Sequence, residues 1–300
     1  MSGSQSCADD SQGPVSDLSP IIVTVLAHRE ERRIALCLES LPLGDPQVAV
    51  HLVVNGSKDR TAEIGRGVAR LFPNLTVHDW PEGGKARSWN RLNFDTLARF
   101  GRTHVFVDGD AVVAPGSIAA LDDALAANPH ANAVSGFPLN GRGAATYGDS
   151  IEATRGLFGD LYALRGDFLA RMKADGIRLP VDLIGDDGLI GALAKTDLKN
   201  EDHWDDERVL PVRGAGFYCE PVSALAPATL AMQYKRMVNY SVRHLQNRLV
   251  SSIMRGEGPG ALPERMESLY AANRDTLRPR KSFPDAWFDR RALRRMMAKS

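Results

Sequence analysis

The chain has 300 residues, of which 43% are hydrophobic, which is enough for one large core or for a core with a smaller lobe. Its 37 lysine and arginine residues balance its 37 aspartate and glutamate residues, and this neutral total argues against general nucleic-acid binding. Its three cysteines, Cys7, Cys37 and Cys219, are widely spaced, which excludes a disulfide framework or zinc motif and indicates a reducing compartment.

Strands and helices alternate in the first part of the chain, after a polar N-terminal segment. Residues 1–19 lack the basic start and apolar middle of a signal peptide, so we expect a disordered tail there. Continuous apolar runs predict four strands, at 21–27, 48–54, 75–80 and 104–108. Helical spacing predicts helices between them, the second ending at Ala69 and the third covering 85–100. This alternation is typical of an α/β parallel sheet, in which ligands bind at the carboxyl ends of the strands.

The second half of the sequence is less regular. Further strands are predicted within 131–139, 159–165 and 208–220, and an acidic pair, Asp186 and Asp187, begins a predicted helix. Residues 230–255 form a long basic, amphipathic segment. Beyond Gly256 the chain is polar and basic, and we expect it to be a loosely attached tail. No apolar run approaches the roughly 18 residues of a membrane-spanning helix.

The fourth predicted strand ends in two carboxylates one residue apart, Asp108 and Asp110. Two like charges this close raise each other's pKa unless a positive charge lies between them. Divalent ions such as Mg²⁺ bind carboxylate oxygens and often share their coordination shell with substrate phosphates. Asn55 follows the second strand, so it belongs at the same edge of the sheet. The pattern therefore predicts a metal-assisted, phosphate-bearing substrate site, although a solvated turn remains the simpler interpretation.

Six motifs in order resemble family 2 glycosyltransferases, which have the GT-A fold. They are VTVLAHREERRIALCLESL, HLVVNGSKDRTAEI, GGKARSWNRL, VFVDGDAVVAPGSI, LIGDDGLIGALA and QYKRM, which together span about 21–243. The resemblance implies a Rossmann-like, mostly parallel sheet flanked by helices, with a C-terminal amphipathic helix. It implies a core at 20–228, divided into a nucleotide-binding half at 20–115 and an acceptor half at 116–228, and a helical extension and tail at 229–300. Met237 replaces the usual tryptophan of the last motif, and Val54 replaces an acid that contacts uracil in many relatives.

The resemblance also implies roles for individual residues. The metal, Mg²⁺ or Mn²⁺, would be held by Asp110 with Asp108 beside it, and the sequence offers no clear third ligand. Asp187 would be the base that removes the acceptor proton, and Asp186 would cap the helix or orient the acceptor. The remaining residues would bind the nucleotide sugar: Ala27, Asn55, Ser57, Asp59, Lys85, Asp108, Gly109, Gln233 and Arg236. Each has a plainer interpretation, because Ser57 and Asp59 can cap a helix and Lys85 and Arg236 can be surface charges.

The function that these expectations favour is inverting transfer of a sugar from a nucleoside-diphosphate sugar, most simply UDP-linked, to a hydroxyl acceptor on a saccharide or lipid. Two alternatives remain: a sugar-phosphate nucleotidyltransferase, and a catalytically silent binding protein on the same fold. We expect no nucleic-acid partner and a cytoplasmic location. The basic helix and the WFDRRALRRMMAK segment can contact the inner face of an anionic membrane, although a packed helix with a solvated tail is the plainer interpretation.

Overall fold

The computed structural model describes residues 20–141, 143–220 and 227–298, so the predicted tail at 1–19 lies outside the described residues. Eight described strands form one sheet, in the order β3-β2-β1-β4-β7-β6-β8-β5. Their bounds are β1 Ile21–Ala27, β2 Val48–Asn55, β3 Leu75–Trp80, β4 Thr103–Asp108, β5 Ala111–Val113, β6 Ala133–Pro138, β7 Leu161–Arg165 and β8 Val209–Cys219. The ten α-helices of this part of the chain are α1 Ile34–Glu39, α2 Thr61–Ala69, α3 Lys85–Asn90, α4 Ser117–Ala127, α5 Ala144–Thr154, α6 Gly166–Ala174, α7 Asp186–Lys195, α8 Pro227–Arg255, α9 Glu267–Tyr270 and α10 Asp285–Met297.

The sheet is parallel through β3, β2, β1 and β4 and changes direction after β4. Strand β7 runs antiparallel to both β4 and β6, and β5 runs antiparallel to β8. Strands β1, β2 and β4 are largely apolar because they lie inside the sheet and are covered on both faces, whereas the edge strand β3 is only partly buried. Helices α1, α2 and α4 cover one face of the sheet, and α6, α7, α8 and α10 cover the other. The predicted fold class, an α/β sheet of GT-A type flanked by helices, is confirmed.

The helix predicted over 85–100 differs in its second half. The α-helical part ends at Asn90 and continues as a π-helix over Arg91–Thr96. Within this segment the Asn93 side chain donates to the carbonyl of Trp89 at 2.8 Å, which competes with the backbone bond of an α-helical turn. The backbone N–H of Leu97 bonds to Leu92, five residues earlier, so the ladder has the wider spacing of a π-helix.

The segment beyond Gly256 is attached to the domain, so the expectation of a loosely attached tail is wrong. Helix α10 packs against α8, and its side chains Ala292 and Met296 are buried. Asp289, also on α10, is fully buried and accepts hydrogen bonds from Arg280 at 2.8 and 2.9 Å. The apolar positions are spaced by four residues, which gives even this very basic helix one buried face. None of the helices described here combines the length and apolar character that crossing a membrane requires.

Candidate active site

Strands β1, β2 and β4 end side by side at one edge of the sheet, as their parallel register requires. A cavity of about 430 Å³ opens at this edge. It is lined by Leu26, His28, Glu30, Asn55, Gly84, Lys85, Asp108, Gly109 and Asp110. Ala27 is fully buried at the end of β1, and a β-carbon on Gly109 would lie only 2.7 Å from the Ala27 β-carbon. A glycine is therefore needed where the chain turns past β1 into the cavity.

Three carboxylates meet at the end of β4. Asp108, Asp110 and Asp160 each offer an oxygen, and the three oxygens lie within 4.8 Å of one another. Asp160 comes immediately before β7, and the antiparallel pairing of Val107 with Leu161 brings it opposite Asp108. Oxygen donors in this number and spacing are what Mg²⁺ or Mn²⁺ binds. These residues are therefore placed to hold a divalent metal ion.

Lys85 lies between two of the acids at the first turn of α3. Its ammonium nitrogen is 2.6 Å from Oδ1 of Asp108 and 3.9 Å from Oδ2 of Asp186. Burial alone would lower the pKa of Lys85, but the charges of Asp108 and Asp186 outweigh it and hold that pKa well above the usual range. The lysine is therefore a fixed positive charge inside the site, and the interpretation as an ordinary surface lysine is wrong.

The acids outnumber the cations that contact them. Burial, reinforced by neighbouring carboxylates, raises the pKa of Asp160 and of Asp108, even though Lys85 pulls both in the other direction. Burial raises the pKa of Asp186 in the same way, and the charge of Asp187 adds to it. Burial, followed by the charge of Asp110, raises the pKa of Glu30 to about 7. A dication bound by this cluster would relieve the repulsion that these shifts express.

The two acids of the predicted pair separate at the start of α7. Asp186 is 4% exposed, and its Oδ2 has no hydrogen-bond partner among the described residues. Asp187 is half-buried, and Nη2 of Arg243 lies 3.0 and 3.1 Å from its two oxygens. A β-carbon placed on Gly159 would lie 3.3 Å from Nζ of Lys85 and 3.8 Å from the Asp187 β-carbon. Gly159 therefore lies beside both Lys85 and Asp187 and is next in sequence to Asp160.

The polar residues after β2 mainly join two loops. Asn55 is buried, donates to the carbonyl of Ala27 at 3.0 Å and accepts from the backbone of Gly84 at 3.2 Å. Ser57 accepts a hydrogen bond from the backbone of Arg29 at 2.8 Å. Asp59 accepts from Glu31 N–H at 3.3 Å and from the Thr61 hydroxyl at 2.7 Å. In this structure the three side chains position the wall of the cavity, and their contact with a nucleotide remains a prediction.

Two residues predicted to bind the donor, Gln233 and Arg236, lie near the start of α8. Arg236 is exposed, and its guanidinium donates to the Tyr240 hydroxyl at 3.5 Å. Gln233 is half-buried two turns before Tyr240. Arg243 lies seven residues beyond Arg236, on the same side of the helix, and it reaches Asp187. The roles predicted for Gln233 and Arg236 in donor binding stay predictions.

The sequence model described as glycosyl transferase family 2 matches residues 22–182, more than half of the chain. The chain belongs to glycosyl transferase family 2. No curated protein sequence matches it.

Solved glycosyltransferases share the fold of this family 2 protein at low sequence identity. The mannosyltransferase PcManGT from Pyrobaculum calidifontis, in complex with GDP-Man and Mn²⁺, is 18% identical, with a TM-score of 0.53 over 93% of this chain and 85% of that chain. Glucosyl-3-phosphoglycerate synthase from Mycobacterium tuberculosis, in complex with Mn²⁺, UDP and phosphoglyceric acid, is 21% identical, with a TM-score of 0.51 over 74% and 78%. TarS from S. aureus, residues 1–349 with UDP-GlcNAc, is 16% identical, with a TM-score of 0.51 over 93% and 81%.

Three residues of this glycosyltransferase site were missed by sequence reasoning. Asp160 precedes an apolar run just as Asp108 follows one, but only the antiparallel direction of β7 brings the two together. Glu30 lies in the turn after β1, where its carboxylate contacts Arg33 at 2.6 Å. Arg243 is one of five cations on α8, and sequence spacing does not indicate which of them meets the acidic pair. The signal that the sequence offers for Asp160 is its position directly before an apolar run that predicts a buried strand.

Proposed function

We propose that this family 2 glycosyltransferase moves a sugar from a nucleoside-diphosphate sugar to a hydroxyl acceptor, with inversion at the anomeric carbon and with a divalent metal. UDP-linked sugars are the first donors to test. The observation that carries the proposal is the meeting of Asp108, Asp110 and Asp160 at the end of β4, across Gly159 from Asp187. The three clustered aspartates suit a metal ion that in turn binds a diphosphate. The separate carboxylate of Asp187 suits the role of proton acceptor.

The donor would bind in the cavity at the ends of β1, β2 and β4. Mn²⁺ or Mg²⁺ held by the three aspartates would offset the negative charge that builds up on the leaving diphosphate. Lys85 contributes a second, permanent positive charge at 2.6 Å from Asp108. The hydrogen bond that Asn55 donates and those that Ser57 and Asp59 accept keep the loops after β1 and β2 in place before the nucleotide arrives. Such preorganisation reduces the ordering cost of binding.

Asp187 would accept the proton of the attacking hydroxyl. Its side chain is 16% exposed, whereas that of Asp186 is 6% exposed and directed toward Lys85. An acceptor hydroxyl can therefore reach Asp187, while Asp186 serves the site as a buried charge beside Lys85. A single carboxylate base, with no second carboxylate assigned as a nucleophile, favours direct displacement and so inversion.

The location that we propose is the cytoplasm. Cys37 and Cys219 are free thiols, and Cys37 lies beneath the site with its sulfur 3.7 Å from the carbonyl of Asp108. Free thiols beside a catalytic site suit a reducing compartment.

The proposal is tested without knowledge of the acceptor by following slow transfer to water. Purified protein is screened with Mn²⁺ and a panel of nucleotide sugars for thermal stabilisation and donor hydrolysis. With the best donor, Asp187→Asn should slow hydrolysis by a factor of about a hundred to ten thousand, the usual contribution of a general base. Metal-dependent stabilisation by UDP should stay unchanged, because Asp187 is outside the metal cluster.

Asp186→Asn is the matched variant, since it removes the neighbouring carboxylate from the same helix. It should be milder in hydrolysis than Asp187→Asn if Asp187 is the base. Equal hydrolysis by wild type and Asp187→Asn would remove Asp187 from catalysis. Proton NMR of the first sugar released gives the stereochemistry, and retention of the donor's anomeric configuration would overturn the inverting mechanism.

A further inference from the structure

Helices α8 and α10 build a strongly cationic surface that the proposed catalytic chemistry does not use. The two helices carry nine lysine and arginine side chains and two acidic ones: Lys235, Arg236, Arg243, Arg248, Arg255, Arg290, Arg291, Arg294 and Arg295, against Asp285 and Asp289. Both acids are engaged by Arg280, at 3.2 Å from Asp285 and 2.8 Å from Asp289. The positive charge on this side of the molecule is therefore left without compensation from the same helices.

Most of these cations have no carboxylate partner among the described residues. Arg243 pairs with Asp187, and Arg255 lies 3.4 Å from Glu201. The other seven make no ion pair in the described part of the chain. Where they have partners, these are neutral: Arg295 donates to Asn239 at 2.7 Å, and Arg291 lies over the Trp287 ring. Ordinary solvated helices usually interleave both signs of charge, so this arrangement differs from a plain exposed face.

A groove between the two helices gathers four of the cations. It has a volume of about 330 Å³ and is lined by Tyr234, Lys235, Val238, Arg291, Arg294 and Arg295. No acidic side chain is among these lining residues. A groove with this lining suits phosphate groups, which both lysine and arginine bind.

Large apolar side chains are exposed next to the cationic groove. Tyr234 is 46% exposed and packs edge-on against Trp287, with ring centroids 5.9 Å apart. Met232, two residues before Tyr234 on α8, is 44% exposed, and Phe283, two residues before α10, is 83% exposed. Aromatic side chains at the border of a basic surface are typical of proteins that lie at a membrane interface, where rings enter the headgroup region. We take a lipid surface as the occupant because the exposed Met232 and Phe283 can enter the acyl boundary, and single-stranded nucleic acid, whose bases stack on aromatic rings, is the competing outcome of the test.

We propose that this α8–α10 surface docks the protein on the anionic phospholipids of a membrane, with headgroup phosphates in the groove. The position suits the reaction. Lys235 and Arg243 are eight residues apart on one helix, so the surface begins about 12 Å along α8 from the residue that contacts Asp187. An acceptor anchored in the same membrane is therefore held within reach of the proposed base.

Vesicle co-sedimentation of the full chain tests the proposal. Wild type should sediment with vesicles of equal parts phosphatidylglycerol and phosphatidylcholine, and should stay in solution with phosphatidylcholine alone. Added salt should release it, because the attraction is screened over about 10 Å at 0.1 M salt. The variant Lys235→Gln/Arg290→Gln/Arg294→Gln removes three exposed cations. Its partition coefficient should fall roughly a hundredfold, since each cation near an anionic surface contributes about fivefold.

A matched control removes three exposed cations elsewhere. Arg70→Gln/Arg99→Gln/Lys199→Gln causes the same change in net charge and should bind like wild type. Thermal unfolding of both variants checks that they remain folded. The proposal is overturned if wild type does not sediment with the anionic vesicles, or if the control variant loses as much binding as the test variant. It is also overturned if single-stranded RNA at equal phosphate concentration binds more tightly than the vesicles. Phe283→Ala should weaken vesicle binding several-fold at low salt without changing its dependence on salt, and it tests the apolar contribution separately.

Discussion

Replacing the buried His104 should change how the stability of this protein depends on pH. His104 lies on β4 and is fully buried, and His51 on β2 lies close enough to influence it. Its Nε2 accepts a hydrogen bond from the backbone of Gly101 at 3.1 Å, so the ring proton is on Nδ1. Burial, with a smaller contribution from His51, lowers the pKa of His104 to about 3.

The sign and the size of the effect follow from this pKa. In the unfolded chain a histidine has a pKa of about 6.5. Below that pH the unfolded state therefore binds a proton at position 104, whereas folded His104 stays neutral. The stability contributed by neutral His104 is therefore complete above pH 6.5 and declines as the pH falls toward 3. Each pH unit costs about 1.4 kcal/mol, so the loss at pH 5 is about 2 kcal/mol.

Paired urea unfolding of wild type and His104→Gln at pH 7.5 and pH 5 measures this loss. Glutamine cannot take up the proton, so the stability difference between the two proteins should shrink by about 2 kcal/mol at pH 5. Wild type and variant are compared at each pH because Glu30 also changes the stability of both proteins. With its pKa raised to about 7, Glu30 stabilises the fold as the pH falls, which partly offsets the effect of His104 in wild type. A difference between wild type and His104→Gln that is the same at both pH values would refute the reasoning.

Three further predictions concern the site and the C-terminal helix. Asp110→Asn should weaken the Mn²⁺-dependent part of UDP binding in calorimetry, because it removes one of three carboxylates from the metal cluster, and unchanged binding would exclude Asp110 from that cluster. Arg243→Gln should slow donor hydrolysis about ten- to a hundredfold at unchanged UDP affinity, because Asp187 loses the contact that orients it; a normal rate would show that this contact is dispensable. Asp289→Asn should cost about 2 kcal/mol of unfolding free energy at pH 7, because burial alone would raise the pKa of Asp289 but the hydrogen bonds from Arg280 lower it to about 2. That stabilisation is complete above about pH 4 and is lost as the pH falls to 2, so a pH-independent difference in denaturant unfolding would contradict it.

The part of the site that follows buried strands could be predicted from the sequence. Asp108 and Asp110 end an uninterrupted apolar run, and the rule for parallel sheets then puts them in the same crevice as Asn55. Asp160 was not predicted, because the sequence of a short strand does not show the direction in which the strand runs. Asp160 lies beside Asp108 only because β7 is antiparallel to β4. Direction is decided by long-range pairing, which local spacing does not contain.

Contacts between distant helices were the least predictable. Residues 187 and 243 are 56 positions apart, and the sequence shows only that each lies on a helix with one apolar face. Helical periodicity orients a side chain around its own axis but does not say which other helix it meets. The same limit applies to the segment after Gly256. Its basic composition suggested a solvated tail, although two of its apolar residues, Ala292 and Met296, are buried where α10 packs on the domain.

The packing of Arg243 over Gly185 makes the residue allowed at one of these positions depend on the residue at the other. Gly185 has a φ of +87°, and a β-carbon added there would lie 2.3 Å from Nε of Arg243. Any larger residue at 185 is therefore strained in itself and displaces the guanidinium. Among relatives that share this arrangement, glycine at 185 and arginine at 243 should be gained and lost together. An alignment can then separate the family members that orient their acid in this way from those that do not, before any of their structures is known.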